Sequence, residues 1–395
     1  MVKLILNVLI LIPCLILAPQ CKFSSHNASN LNDPKTHILI GEYEPLTGSE
    51  STFGQATHQG VELAIEQANQ KGGLFGKQLS LISYDDQGRS DEAVTAVTKL
   101  ITLDQIHIII GETTSSRSIA GGEIAQKYHI PMISPSGTNE KVLAVGDFIF
   151  RVCFSDAFQA SALAKFAFTQ LKLRHGAIFK DLKNDYSIGF ATAFKKKFES
   201  LGGQIVIESS YASGDLDFRA QLNKIKHANS DFLFIPGYYT EVGLIARQAR
   251  EGGYRKVFLG GDGWDSPKLA EIGGQAILES YFTNHYANDD PRKMVKDFLN
   301  TYEAKYHQIP DSNAATGYDA TNLAIHAMKE SRDLTPQAIQ KALANIKQLE
   351  LVTGKMTVDK HREAIKSIQI LKITQSQKNN NHTPPHFEYV TTIDP

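Results

Sequence analysis

Cysteine and tryptophan are scarce in this chain, and it carries no excess of basic residues. The 395 residues include three cysteines and one tryptophan, and 41 lysines and arginines stand against 42 aspartates and glutamates. Three cysteines are too few for a framework of disulfides. An even charge balance, without a segment that combines basic and aromatic residues, argues against a nucleic-acid partner.

The motifs of several common enzyme classes are also missing. No Gly-x-Gly-x-x-Gly follows a strand-like run, and neither a P-loop nor a Gly-x-Ser-x-Gly motif occurs. The 13 histidines are scattered, and none lies in a recognisable pattern with a Ser or Cys nucleophile. The sequence therefore disfavours an enzyme and predicts neither a cofactor nor a metal site.

The first residues have the pattern of an export signal. One lysine precedes an apolar run over residues 4–18, which is shorter than the roughly 20 residues that a membrane span needs. We predict an export signal over residues 1–21, a polar tether over 22–36, and a location in the periplasm or on the outer face of the cell membrane. Cys21 stands where a lipoprotein signal places its acylated cysteine, but Gln20 replaces the usual small residue, so lipidation and plain cleavage both stay open.

From residue 37 onwards, strand-like and helix-like runs alternate. Helices of this length between strands imply right-handed parallel crossovers, so two doubly wound α/β units are predicted. Three helical stretches follow near residues 291–306, 314–331 and 336–346, with a final strand over 366–374. Residues 376–395 are predicted to be a loose tail.

Two buried strands are predicted over residues 106–110 and 130–133, and both end in turns rich in small hydroxyl residues. The turns read GETTSS over residues 111–116 and SPSGTN over residues 134–139. Since the ends of neighbouring parallel strands meet at one edge of a sheet, both turns are expected to present backbone N–H groups and hydroxyls to the same place. Such a place suits an anion.

Several stretches together resemble a known family, the extracytoplasmic substrate-binding proteins of ABC importers for branched-chain amino acids. They are PLTG at residues 45–48, YDDQ at 84–87, IIGETTSS at 109–116, PMISPSGTN at 131–139 and GYYTEVG at 237–243. The resemblance extends over residues 38–374. It implies a type I periplasmic binding fold, in which two α/β lobes joined by a three-stranded hinge close over one ligand. The implied lobes are residues 37–153 with 285–352, and residues 154–284 with 353–375.

The resemblance also implies a ligand site between the lobes. The position of the family's carboxylate-binding serine falls on Ser115, and the positions of the residues that meet carboxylate and ammonium fall on Ser136 and Thr138. The implied residues of the second lobe are Tyr186, Tyr238 and Asp262, with Asp262 facing the ligand's ammonium group, and Phe53 resembles an aromatic residue that packs on the ligand side chain. Thr113 and Thr114 depart from more apolar residues in some relatives, which puts a purely aliphatic pocket in doubt.

The function implied by the resemblance is capture of an amino acid, branched-chain or otherwise neutral, and its delivery to the permease and ATPase of an ABC importer. The protein is expected to act as a monomer, without a cofactor, and to meet the membrane only through a lipid on Cys21. A ligand-sensing subunit of a receptor or regulator, which would bind an amide or small carboxylate, stays open as an alternative. An α/β enzyme is the least favoured reading.

Overall fold

The computed structural model describes residues 37–375 and 385–395, so the predicted export signal, the tether, Cys21 and residues 376–384 lie outside the described residues. The first sheet is parallel and has the order β2-β1-β3-β4-β5. Its strands are β1 (His37–Glu44), β2 (Gln78–Asp85), β3 (Ile108–Ile110), β4 (Met132–Ser134) and β5 (Ile149–Arg151). The helices between and after them are α1 (Ser51–Gln70), α2 (Ser90–Thr102), α3 (Ser115–Tyr128) and α4 (Glu140–Ala144).

The second sheet has seven strands in the order β15-β14-β10-β9-β8-β6-β7. Five are parallel: β6 (His175–Asp181), β7 (Gln204–Tyr211), β8 (Phe232–Phe234), β9 (Val257–Gly260) and β10 (Tyr281–Asn284). The strands β14 (Ile368–Thr374) and β15 (His386–Ile393) complete one edge in antiparallel pairing. The helices are α5 (Asp156–Thr169), α6 (Asp185–Ser200), α7 (Arg219–His227), α8 (Tyr239–Glu251) and α9 (Pro267–Gly273), with 3-10 turns at Asp262–Trp264 and Gly274–Ile277.

The remaining segment returns to the first sheet. It comprises α10 (Lys293–Tyr306), α11 (Ser312–Ser331), α12 (Pro336–Ala344) and a small antiparallel sheet of β11 (Leu349–Leu351), β12 (Gly354–Val358) and β13 (Ala364–Ile365). Leu323 and Met356 share one buried core with Ile38 and Ile40 of β1. The predicted boundary at residue 353 is therefore misplaced, because residues 354–364 pack on the first sheet.

We name the two halves by their sheets. The first lobe is the sheet of β1–β5 with α1–α4, α10–α12 and β11–β13, and the second lobe is the seven-stranded sheet with α5–α9. Each has its own buried apolar cores. The chain crosses between the lobes at three hinge segments, residues 152–155, 285–292 and 366–367. The strands of a parallel sheet that helices cover on both faces have continuous apolar sequences. The alternation of such runs with helix-like runs therefore predicts this architecture.

The prediction of a loose tail is wrong for residues 386–393. They form β15, which pairs with β14 over its whole length, and the Phe387 ring packs edge-on against Phe282 with centroids 5.1 Å apart. None of its eight residues is fully buried and its second half contains two threonines, so its sequence pattern is weak. The pairing depends on the free edge of β14, which a local pattern does not reveal.

The single tryptophan and the cysteine of the described residues both lie in packed interiors. Trp264 is fully buried, and its indole N–H donates to the Ile235 carbonyl at 3.0 Å. Cys153 is fully buried, and this burial raises the pKa of its thiol to about 12. Cys153 therefore behaves as a small apolar residue. Within residues 37–375 and 385–395, no helix has the length and apolar character of a membrane span.

Candidate ligand-binding cleft

The carboxyl ends of the parallel strands of both sheets face each other, and the two lobes touch there. The Phe53 ring of α1 lies edge-on to Tyr238 and Tyr239 of the second lobe, with centroid distances of 5.7 and 4.8 Å. The hydroxyl oxygens of Thr52 and Ser266 are 2.9 Å apart. The cleft is thus closed in this conformation, and Phe53 lies in the first turn of a helix.

Ser115 begins helix α3 and is almost fully buried, with 1% of its surface exposed. Its hydroxyl oxygen accepts a hydrogen bond from the Asn139 N–H at 3.2 Å, which ties the two hydroxyl-rich turns together. The first N–H groups of a helix have no partner within the helix, and its N-terminus carries a partial positive charge. The two turns therefore meet, as predicted, at a place that favours an anion.

The buried guanidinium of Arg151 fixes the turn at residues 136–139. Its Nη1 atom lies 3.3, 2.6 and 3.0 Å from the carbonyl oxygens of Gly137, Thr138 and Asn139. At Gly137 a Cβ atom would lie 2.5 Å from the Ser134 hydroxyl, so this close approach requires glycine. Arg151 thus holds three carbonyls of the turn on its own side.

The hydroxyls of the same turn differ in their partners. Ser136 Oγ lies 2.8 Å from the Thr316 hydroxyl on α11, so this hydroxyl is bound within the first lobe. The Thr138 hydroxyl is buried near the Asp156 carboxyl, but it has no partner with the geometry of a hydrogen bond among the residues that the structure describes. A buried hydroxyl without a partner is costly, so Thr138 is a candidate to bind a ligand.

Two tyrosines of the second lobe form an aromatic wall. The rings of Tyr186 and Tyr238 stack with centroids 5.4 Å apart and planes inclined by 7°. The Tyr186 hydroxyl oxygen accepts from the Gly263 N–H at 3.4 Å, next to Asp262. Burial raises the pKa of both phenols above their ordinary range, so both are neutral near pH 7. With Phe53, these rings offer an apolar surface.

Asp262 follows β9 and begins a 3-10 turn. Its side chain is 9% exposed, and its Oδ2 atom lies 3.2 Å from Nε2 of His285. The other carboxylate oxygen, Oδ1, is buried without a hydrogen-bond partner among the described residues. Oδ1 of Asp262 is therefore available to accept a hydrogen bond from a further donor.

A second acidic residue, Asp156, lies beside Asp262 and was missed by the sequence analysis. It begins helix α5, is fully buried, and has an Oδ2 atom without a partner among the described residues. Gln159 joins the two acids, because its amide nitrogen lies 3.4 Å from Asp156 Oδ1 and its amide oxygen accepts from the Asp262 N–H at 3.1 Å. Burial, and then the negative charge of Asp262, raise the pKa of the Asp156 carboxyl well above its ordinary range.

Asp156 also lies against the turn that carries Thr138. Its N–H donates to the Thr138 carbonyl at 2.9 Å, so the acid end and the hydroxyl end of the cleft are adjacent. No Lys or Arg side chain of the described residues forms an ion pair with Asp156 or Asp262. Two neighbouring carboxyl groups without a cation suit a small positively charged group, and the donors beside them suit a negatively charged one.

The two threonines of the first turn do not add free polar groups. The Thr113 hydroxyl donates to the Asn313 side chain at 3.1 Å, and the Thr114 hydroxyl donates to Glu112 at 2.6 Å. Arg117 in turn binds Glu112 at 2.8 Å and Glu50 at 3.4 Å. These polar groups therefore satisfy one another within the first lobe, which removes the reason for doubting an apolar pocket.

No cluster of three or more His, Cys, Asp or Glu side chains among the described residues has the arrangement of a metal site.

The architecture and the closed cleft define a two-lobed solute-binding protein. The sequence profile of the periplasmic binding protein family matches residues 37–379, and the chain belongs to that family. Membership implies an extracytoplasmic location and a solute-binding class that is not a class of enzymes.

Similar proteins support the predicted resemblance. The Leu/Ile/Val-binding protein homolog 3 of Brucella melitensis is 30% identical over 326 residues, which cover 81% of this chain and 86% of that protein. The crystal structure of the leucine binding protein LivK from Thermotoga maritima has a TM-score of 0.85 at 33% identity and covers 91% of this chain and 99% of its own.

A third similar structure contains a ligand. The branched-chain amino acid transporter substrate binding protein LivJ from Streptococcus pneumoniae, in complex with isoleucine, has a TM-score of 0.82 at 30% identity and covers 90% of this chain and 99% of its own. These likenesses confirm the predicted type I periplasmic binding fold and the resemblance to branched-chain amino-acid binding proteins.

Proposed function

We propose that this protein binds a neutral α-amino acid with an apolar side chain in the cleft between its lobes. One observation carries the proposal: the unpartnered oxygens of Asp156 and Asp262 lie beside the hydroxyl-rich turns of the first lobe. An α-amino acid has an ammonium and a carboxylate on one carbon atom, and so requires acceptors and donors side by side. The names of the Brucella, Thermotoga and Streptococcus relatives support the branched-chain class.

At the carboxylate end, the Ser115 hydroxyl, the Thr138 hydroxyl and the first N–H groups of α3 donate to the ligand. Ser115 already accepts from Asn139, which leaves its own proton free to donate. Hydrogen bonds to a charged group each contribute roughly 1.5–3 kcal/mol. The positive end of the α3 dipole adds to them.

At the ammonium end, Asp262 and Asp156 provide the counter-charge, and the Ser136 carbonyl accepts from the other side. The Ser136 hydroxyl is excluded from this role by its bond to Thr316. At the side-chain end, Phe53, Tyr186 and Tyr238 surround an apolar group. The ring stacking and the internal bonding of Thr113 and Thr114 support a branched aliphatic side chain.

The partner that we propose is an ABC importer with a permease and an ATPase, to which the closed protein delivers its ligand as a monomer. We also propose that the export signal is cleaved on export between Gln20 and Cys21, so that Cys21 begins the mature protein and carries a lipid as the membrane anchor. Labelling of cells with a palmitate analogue tests the anchor, and the variant Cys21→Ser is its control. Label in the wild-type protein but not in the variant supports lipidation.

Identification of the ligand tests the function directly. Native mass spectrometry of the purified protein should show an added mass equal to that of an amino acid, since tightly bound ligands often survive purification. Calorimetric titration of the protein, unfolded to remove bound ligand and refolded, should then detect binding of leucine, isoleucine or valine. Failure of all neutral amino acids to bind would refute the proposal while leaving the fold intact.

Closure of the lobes is a further part of the proposed mechanism. Both lobes carry cleft residues and are joined only by the three hinge segments, so a hinge motion is expected to open and close the cleft. Small-angle scattering should give a smaller radius of gyration with saturating leucine than without ligand. An unchanged radius would count against closure on binding.

A further inference from the structure

His285 lies at the start of the second hinge segment, directly after β10, and only 1% of its surface is exposed. Its ring stacks on Phe154 of the first hinge segment, with centroids 3.8 Å apart and planes inclined by 29°. Its Nε2 atom lies 3.2 Å from Asp262 Oδ2, while Nδ1 has no partner among the described residues. The ring is therefore fixed on one face by packing and at one edge by the carboxylate.

The direction of this hydrogen bond follows from its partners. A carboxylate accepts and does not donate, so the imidazole carries its proton on Nε2. The charged or titratable groups around His285 are Asp262, Asp265 and Lys366. The Asp265 carboxylate accepts hydrogen bonds from the Asn284 side chain and from the Ser312 N–H, both at 2.8 Å. Lys366 donates to the Val152 carbonyl at 3.3 Å.

Burial lowers the pKa of His285, so the ring is neutral near pH 7. A lysine or arginine in this place would form an ion pair with Asp262 and neutralise it. A neutral donor instead orients the carboxylate and leaves its negative charge for another cation. Oδ1 of Asp262, which has no partner among the described residues, is the oxygen left for that cation.

We propose that His285 is a positioning residue, which holds Asp262 through a single hydrogen bond so that its free oxygen meets the ammonium group of the ligand. This inference rests on the proposed function, because it assigns a role in binding the same α-amino acid. His285 itself is not expected to touch the ligand. Its effect should therefore appear in recognition of the ammonium group and should depend on the hydrogen-bond donor.

Two substitutions separate the donor from the ring. His285→Phe keeps an aromatic ring to stack on Phe154 but removes the donor, and His285→Gln keeps a neutral donor but removes the ring. Calorimetric titration with leucine should show roughly tenfold or greater loss of affinity in His285→Phe, as expected when a hydrogen bond to a charged group is lost. His285→Gln should restore most of that affinity. Thermal melting without ligand shows whether each variant is folded.

The possible outcomes distinguish the inference from the proposed function. Wild-type protein that fails to bind any neutral α-amino acid would refute the proposed function itself. Wild-type binding with equal affinities in the wild type and His285→Phe would overturn only the role of His285. Loss in His285→Gln as large as in His285→Phe, with both variants folded, would show that a neutral donor at this position does not restore affinity and would also overturn the inference.

Discussion

The two lobes contribute different polar groups to the cleft: the first lobe contributes hydrogen-bond donors, and the second lobe contributes carboxyl groups. The first lobe offers hydroxyls and backbone N–H groups in turns that are held by internal bonds, such as those from Arg151 to three carbonyls. The second lobe offers carboxyl groups that lack a cation partner, namely Asp156 and Asp262. Apart from the Thr138 hydroxyl, the first side is therefore satisfied before a ligand arrives, whereas the second side carries an uncompensated electrostatic cost. The second lobe should consequently show the larger effects of substitution on ligand binding.

The largest effect is expected at Asp262. Replacement by alanine leaves the ligand's ammonium short of its counter-charge, and truncation of one partner of such a pair costs about 2–5 kcal/mol, or roughly 30-fold to several thousand-fold in affinity. Calorimetric titration with leucine measures the loss, and 4-methylpentanoate, which lacks the amine, is the matched ligand. Equal losses for both ligands would remove the assignment of Asp262 to the ammonium group.

Asp156→Asn should separate ligand affinity from stability. The amide cannot supply a negative charge, so affinity for leucine should fall by about 2–3 kcal/mol. The ligand-free protein should keep or gain thermal stability, because a buried carboxyl without a cation partner is removed. Scanning calorimetry without ligand gives the second quantity. A variant that loses both affinity and stability would point to a structural role for Asp156 in helix α5.

The raised pKa of Asp156 also predicts a pH dependence. An acid whose pKa is higher in the folded protein than its unfolded value of about 3.9 binds protons more readily when folded. The free energy of unfolding of ligand-free protein should therefore contain a contribution that falls as the pH rises from about 4 through the raised pKa. Asp156→Asn should lack this contribution. Denaturant unfolding of both proteins at a series of pH values measures the difference, and parallel pH profiles would contradict the prediction.

On the first side of the cleft, Ser115→Ala should have a moderate effect. Loss of its hydroxyl removes one hydrogen bond to the ligand's carboxylate and should weaken leucine binding by about 1–3 kcal/mol. Thermal stability without ligand should change little, since among the described residues the hydroxyl has a single hydrogen bond, from the Asn139 N–H. A fall in stability as large as the loss of binding would show that Ser115 mainly joins the two turns.

Local patterns predict the first side of the cleft better than the second. The turns at residues 111–116 and 134–139 are visible because small hydroxyl residues interrupt apolar runs at the ends of strands. Asp156 follows Ser155 at the start of a helix, where an acidic residue is ordinary; Ser155 is indeed the N-cap, since its hydroxyl accepts from the Phe158 N–H at 3.3 Å. The role of Asp156 depends on its position beside Asp262, about a hundred residues further along the chain, and no local pattern carries that information.

Local sequence patterns also predict only part of the fold. Long apolar runs between helices predict the parallel strands, because burial on both faces leaves a strong pattern. The strands β11, β12 and β13 have only 3, 5 and 2 residues, and the edge strand β15 has no fully buried residue. The pairing of these strands is set by distant neighbours. For this reason the local pattern misplaces the lobe boundary at residue 353, although Met356, Val358 and Ala364 belong to the core of the first lobe.

The smallest effect is expected where the lobes touch outside the ligand site. Asp185 of the second lobe lies 3.1 Å from the Ser116 hydroxyl and 2.8 Å from the Lys141 ammonium, and its carbonyl accepts from the Asn139 side chain at 2.7 Å. These contacts exist only when the cleft is closed, so Asp185→Ala should disfavour the closed state. Exposed ion pairs contribute about 0.2–1 kcal/mol, and affinity for leucine should fall by a factor of about 1.5–5.

The control for this substitution is Glu208→Ala, which removes ion pairs with Lys180 and Lys195 inside the second lobe. It should leave affinity for leucine unchanged, because Glu208, Lys180 and Lys195 belong to the same lobe and do not separate on opening. Both variants should melt within a few degrees of the wild type without ligand, since surface substitutions usually change stability by less than about 0.5 kcal/mol. Equal affinities of the wild type and Asp185→Ala would show that the ligand alone holds the lobes together, so that closure depends on the acids of the second lobe and the donors of the first.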